Sequence, residues 1–113
     1  MDPRRSLGDS GEAAAAAWYE ANGYEVLARN WRCRLGEIDL IVKRGHLIAF
    51  CEVKTRSSQA FGHPVEAVTR EKRDRVRHVA ARWLQDAPVR PGVIRFDVVA
   101  VLGDRTRVVE GAF

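Results

Sequence analysis

A chain of 113 residues, 46% apolar and 30% charged, has the size and composition of one folded domain that buries a core without disulfides or structural metal. No apolar run approaches the length needed to cross a membrane. In MDPRRSLGDSGE the arginine pair is followed by charged and small polar residues where a signal peptide would carry its apolar core, which predicts a cytoplasmic chain. A formal charge of +4 and a pI near 9.6 point to a polyanionic partner and leave the fold open.

In chain order, residues 1–8 read as a flexible tail. Asp9 followed by Glu12 forms a capping box that opens an alanine-rich helix running to about Asn22, where Gly23 is a natural stop. YEVLARNW (Tyr24 to Trp31) is a strand. GEIDLIVKRGHLIAFCEVK (Gly36 to Lys54) is two strands around Gly45-His46, a pair that suits a type II′ turn because glycine takes its first central position. After the turn-rich TRSSQAFGHP (Thr55 to Pro64) comes TREKRDRVRHVAARWL (Thr69 to Leu84), whose Val76, Val79, Ala80, Trp83 and Leu84 fall on one helical stripe. Arg70, Arg73 and Arg77 fall off that stripe and are expected to face water, as a solvated face or a phosphate-binding one. Lys72 lies one turn before Val76 on the stripe itself, so its stem either snorkels from the helix end or points toward a site at the sheet. Two prolines in APVRPG (Ala87 to Gly92) end the helix, and VIRFDVVAVL (Val93 to Leu102) is an apolar strand to which TRVVEGAF (Thr106 to Phe113) can pair through Gly103-Asp104. Helix, three strands, helix, one or two strands is a mixed α/β domain with one central sheet, spanning residues 1–113.

Cys33 and Cys51 have neither Cys-x-x-Cys spacing nor the nearby histidines of a zinc site; Cys51 reads as core and Cys33 as an inert free thiol. Trp18, Trp31 and Trp83 read as core, since single tryptophans are poor markers of base stacking. Arg95 and Asp97 alternate with Ile94, Phe96 and Val98 and suggest an ion pair on the polar face of a strand.

The acids of the central hairpin need a stronger explanation. If Arg44 pairs with Leu47, Asp39 lies opposite Glu52 and Glu37 opposite Lys54, all on one face at the end away from the turn. Directly opposed residues have Cβ atoms about 4.5–5.5 Å apart. Two carboxylates at ~4 Å and an effective dielectric of ~20 repel by about 4 kcal/mol, a large part of a domain's roughly 5–15 kcal/mol. Three compensations exist: a shared proton, a partner such as Lys54 or an arginine, or a divalent cation between the oxygens.

GEIDL followed by FCEVKTR resembles the Asp … Glu-x-Lys signature of the PD-(D/E)XK nuclease superfamily. With GEAAAAAWYEANGYEVLARNWR (Gly11 to Arg32), FGHPVEAVTREK (Phe61 to Lys72) and RFDVVAV (Arg95 to Val101), the chain resembles the YraN-type family of small bacterial proteins, themselves similar to archaeal Holliday-junction resolvases. The resemblance covers nearly the whole chain and implies a restriction-endonuclease-like core. It implies that Asp39 and Glu52 ligate Mg²⁺ or Mn²⁺ with the backbone carbonyl of Val53, and that Lys54 orients the attacking water or steadies the phosphate. Glu12 matches an additional acidic position that holds a metal-bound water; its alternative is the capping-box glutamate. Lys72 and Arg73 on the second helix, and Arg56 and Gln59 after the Glu-x-Lys strand, are the nucleic-acid contacts expected. His63, before a proline in a turn, is set aside as structural. The function expected is metal-dependent hydrolysis of phosphodiester bonds in DNA, with branched or junction DNA among the substrates and a homodimer suited to a junction's two symmetric scissile sites. No membrane and no organic cofactor are expected. The alternative is a non-catalytic nucleic-acid-binding accessory protein that keeps the nuclease fold.

Overall fold

A computed structural model describes residues 3–56, 68–87 and 90–113, with side chains from residue 10 onward and without that of Arg56. The first helix, α1 (Pro3–Ala21), begins ahead of the expected Asp9 cap, so residues from Pro3 onward are helical instead of a tail. Proline at the first helical position is preorganised for it, and two glycines at about 1 kcal/mol each do not break a helix that the alanine run propagates. Gly11 is needed where it stands. A Cβ built there would overlap Oγ1 of Thr55 on the strand beneath, so the missing side chain lets α1 settle on the sheet. Gly11→Ala is therefore expected to destabilise the fold by about 1–3 kcal/mol in urea denaturation, and Thr55→Ala in the same chain should restore part of the loss.

Helix α1 ends as its sequence predicts. Gly23 sits at φ +85°, its N–H bonds Glu20 O, and the Tyr24 N–H reaches back to Tyr19 O. That is a Schellman cap, and the Tyr19 and Tyr24 rings meet edge to face at 5.0 Å across it. Strands β1 (Glu25–Cys33), β2 (Gly36–Arg44) and β3 (Leu47–Arg56) follow, then α2 (Arg70–Asp86), β4 (Val93–Leu102) and β5 (Arg105–Val109). The five strands form one mixed sheet in sequence order. Only β3 and β4 are parallel, because α2 carries the chain back across the sheet between them. Among the described residues no helix is long and apolar enough to cross a membrane.

The expected hairpin register is observed, from Arg44↔Leu47 to Leu40↔Cys51. Gly45 has φ +60° and His46 is not among the residues of positive φ, as a II′ turn requires. Gly103 repeats the device between β4 and β5, where Leu102 pairs with Arg105.

A helix covers each face of the sheet, so the central strands are apolar on both sides. Tyr19, Leu40, Val42, Cys51 and Val99 belong to the core under α1, with Trp18 against it. Ile41, Ile48, Phe50, Val76 and Val79 belong to the core under α2, with Trp31 and Trp83 against it. Cys51 is fully buried, and Cys33 is a partly buried free thiol. Thr69 caps α2, its hydroxyl accepting the Lys72 N–H at 3.2 Å. Arg73 is only half exposed: its Nε donates to Val68 O at 3.0 Å and its guanidinium lies 5.7 Å from the Phe113 ring centre, so it packs on the C-terminal ring and does not simply face water. Arg77 also lies over Phe113.

The Arg95–Asp97 pair exists, but not on a polar face. Asp97 shares its face with Val99 and Val101, the face that α1 covers, and is 0% exposed. Its Oδ1 accepts Arg95 Nε at 2.7 Å and the Gly111 N–H at 3.1 Å. Its Oδ2 accepts Arg95 Nη2 at 2.8 Å and the Tyr19 hydroxyl at 2.7 Å. The Cys51 thiol donates to the Tyr19 oxygen at 3.2 Å, and burial pushes both groups' pKa values up.

Candidate active site

The β2–β3 ladder stops at Leu40↔Cys51, one pair short of Asp39 and Glu52. In place of a further backbone bond, the Val53 N–H donates to Asp39 Oδ2 at 2.8 Å. The strand's alternation also breaks here: Leu40 and Val42 face the α1 core while Ile38 joins Ile41 in the α2 core. Across from Asp39 on β1, between the pairs Arg29↔Leu40 and Trp31↔Ile38, stands Asn30 at φ +51°, the one non-glycine residue of positive φ among those described. Asparagine tolerates that conformation better than most residues because its side chain bonds locally. Here it bonds further away, with Nδ2 donating to Glu12 Oε2 at 2.7 Å.

A cavity of about 640 Å³ opens between this end of the sheet and α2, lined by Asp39, Glu52, Val53, Lys54 and Lys72, with Arg32, Cys33, Gly36, Glu37, Arg75 and Val76 around them. Gly36, at φ +146°, lets the Arg75 and Val79 side chains of α2 close over the start of β2. Glu52 is 3% exposed, and Lys72 Nζ stands 3.4 Å from its Oε2. Lys72 thus points inward, the second of the two alternatives read from its place on the helix, and it lies beside Lys54 in the cavity wall. Glu37 does not meet Lys54 as expected; it is held 2.7 Å from Arg32, its partner on β1, in an exposed ion pair.

Burial and the neighbouring Asp39 charge push Glu52 up to about 7. Burial raises Asp39 too, against the Val53 N–H, which lowers it. Lys54 is lowered to about 8 by burial and by the Lys72 ammonium beside it. For Lys72, burial works downward, but its neighbours Lys54 and Glu52 prevail and raise it. The centre therefore holds two carboxyls whose proton affinities are raised and one amine, Lys54, whose affinity is lowered toward theirs, a pattern typical of functional sites.

Asp39 and Glu52 are the residues able to hold a hard divalent cation. Val53 presents its N–H to β2 beyond the end of the ladder, and in an extended strand a residue's carbonyl points to the same side. Two carboxylates and a carbonyl, completed by water, match what Mg²⁺ or Mn²⁺ accepts. Glu12 is not among the cavity-lining residues, and the described residues assemble no group of three or more His, Cys, Asp or Glu side chains. The Glu12 carboxylate instead accepts from Asn30, the β1 residue across from Asp39. Arg56 ends β3 with its side chain outside the described residues, and Gln59 and His63 lie wholly outside them. Sequence reading missed Arg32, Arg75 and Cys33 on the cavity wall and missed Asn30, whose only signal is that asparagine accepts positive φ. Asn30→Ala should cost about 1–2 kcal/mol from the backbone conformation alone, whereas Asn30→Gly keeps that conformation and loses only the Glu12 bond; comparing the two by thermal denaturation separates strain from contact.

A mixed sheet flanked by two helices, with a buried acid pair and two lysines where its hairpin ladder opens, defines a small α/β protein with a built polar centre. The chain belongs to the protein family described as "Uncharacterised protein family UPF0102", whose model matches residues 11–101; this is the YraN-type family its motifs resemble. It is 53% identical over 107 residues to the UPF0102 protein of Beutenbergia cavernae, covering 95% of this chain and 89% of the relative. The corresponding protein of Parafrankia sp. is 50% identical over 105 residues, covering 93% and 89%, and that of Moorella thermoacetica is 49% identical over 116 residues, covering 97% of each.

Proposed function

We propose that this protein is a metal-dependent endonuclease of the PD-(D/E)XK type, hydrolysing phosphodiester bonds in DNA. The observation that carries the reading is the convergence of Asp39 and Glu52 with Lys54 and Lys72 in one cavity, at the point where β2 leaves the ladder. Buried acids are costly unless compensated, and a fold whose only need was stability would be better served there by apolar residues. The sheet order, with parallel β3 and β4 joined through α2, is compatible with a nuclease core.

Bound Mg²⁺ or Mn²⁺ would supply charge at the phosphoryl oxygens and a water of lowered pKa. The chain's own groups do the rest. The Val53 N–H fixes the Asp39 carboxylate, and burial keeps Glu52 turned into the cavity. Lys54, poised near pH 8, holds a proton at Nζ beside the reacting phosphate and stabilises charge that grows on its non-bridging oxygens. Arg32 and Arg75 at the rim neutralise flanking phosphates, and their contribution weakens as salt rises.

The test is calorimetric titration of Mn²⁺ into wild-type and Asp39→Asn protein, with nicking assays on branched, flapped and linear DNA. Metal heat and Mn²⁺-dependent nicking in the wild type, both lost in Asp39→Asn, are the expected result. Salt-dependent DNA binding with neither heat nor nicking would overturn the nuclease reading in favour of the accessory protein.

A further inference from the structure

We infer that Lys72 is the resident counter-ion of the acid pair, and that a divalent cation entering the site must displace its ammonium from Glu52. The inference rests on the nuclease reading for the identity of the cation, while its geometry stands on the chain's own contacts.

Among the described residues two buried acids have basic partners, and they are built differently. Asp97 accepts from the Nε and Nη2 edge of one arginine at 2.7 and 2.8 Å and from two further donors. Such planar bidentate pairing is rigid and tight. Glu52 meets a single lysine at 3.4 Å, longer than a charge-assisted hydrogen bond and made by a compact point charge on a flexible stem. The first pair is built to stay and the second to part.

Three features make Lys72 the group that leaves. Its side chain is 37% exposed while that of Glu52 is 4% exposed, so the ammonium can swing toward water and the carboxylate cannot. Its backbone is held by the Thr69 cap, so withdrawal needs only rotation about side-chain bonds. It also lies against Lys54, a like charge that favours separation once Glu52 is otherwise neutralised. Charge bookkeeping agrees: with all four side chains ionised the cavity is balanced, and adding a dication while keeping both ammoniums leaves it positive. The displaced ammonium remains at the cavity mouth, where that surplus meets a phosphodiester.

The experiment measures Mn²⁺ affinity of the full chain by calorimetry and by the free-Mn²⁺ paramagnetic resonance signal, for wild type, Lys72→Met and, as a control on the same helix, Arg82→Met. Methionine keeps the unbranched stem and removes the charge. Lys72→Met is expected to bind Mn²⁺ about ten-fold more tightly than wild type, the effect of removing one competing charge at this range, with Arg82→Met unchanged. In wild-type protein the Lys72 side-chain ¹³Cε resonance should move as Mg²⁺ is added. Equal or weaker Mn²⁺ binding by Lys72→Met, or a Lys72 resonance that stays still while Mg²⁺ binds, overturns the inference and leaves the nuclease reading standing. Tighter binding in Lys72→Met without nicking by the wild type upholds the displaced counter-ion and overturns the nuclease. Uptake by neither protein at millimolar Mn²⁺ overturns both.

Discussion

Replacing Glu52 with glutamine is expected to make the protein more stable at pH 8 and catalytically dead. The stability half follows from where the carboxyl sits. In the folded chain burial and the Asp39 charge hold its pKa near 7, against an ordinary value of 4.5. Between those two pH values the folded state keeps a proton that the unfolded state has released, so wild-type stability falls as pH rises from 4.5 to 7 and levels off above. Glutamine mimics the protonated acid at every pH and has no such slope. The gap between variant and wild type should therefore open through that window and reach roughly 1–3 kcal/mol at pH 8, after screening at the cavity mouth is allowed for. Lys72 loses a partner in the variant but is exposed enough to reach water. Urea denaturation at pH 5, 6, 7 and 8 checks this; parallel curves for the two proteins across that range would show that Glu52 is settled in the fold and that no cost attaches to its charge. The activity half is a loss of at least about 100-fold in Mn²⁺-dependent nicking, since an amide removes the charge that a cation and a growing phosphoryl charge both depend on.

A residue that costs stability and supports chemistry is one that sequence reading can find, because it violates local patterning. Glu52 and Asp39 stand where the alternation of a half-buried strand asks for valine or leucine, and the Gly45-His46 turn sets which residues oppose them; that much was legible, whereas the place of Lys72 on an apolar stripe left snorkelling and an inward direction both open. The order of elements and the stop at Gly23 were legible for the same reason, since turn chemistry and hydrophobic period agree there. What stayed hidden depended on long-range packing. The start of α1 turned on whether two glycines would stop an alanine-driven helix, a balance of about 1 kcal/mol each that local rules do not resolve. Glu12 reads equally as cap or ligand, and its observed bond to Asn30 depends on a strand residue 18 positions away. Asn30 itself breaks no visible pattern. Asp97 was misplaced because alternation shows which residues share a face but not which face a helix will cover.

Asp97 supplies the opposite experiment to Glu52. Asp97→Ala should destabilise the protein by about 3–5 kcal/mol, the loss expected when one member of a buried ion pair is removed. The alanine leaves Arg95, whose pKa the bonds to Asp97 hold up, with its fork half empty: Glu110 at 3.5 Å and the Tyr24 hydroxyl at 2.9 Å remain, but neither replaces the two bonds that Asp97 accepts. It also leaves the Tyr19 hydroxyl and the Gly111 N–H without their acceptor, so several donors lose their partner at once. Guanidinium denaturation measures the loss, and nicking by whatever fraction remains folded should be unchanged, because the network lies under α1 on the face away from the cavity. Arg95→Met combined with Asp97→Leu should recover much of the stability, since replacing both charges with apolar groups removes the desolvation cost together with the attraction. If Asp97→Ala costs less than about 1 kcal/mol, the buried pair is not what joins α1, β4 and the C-terminal turn. A large loss in Asp97→Ala set against a gain in Glu52→Gln would separate, within one sheet, the acid that holds the fold from the acid that the fold holds in place.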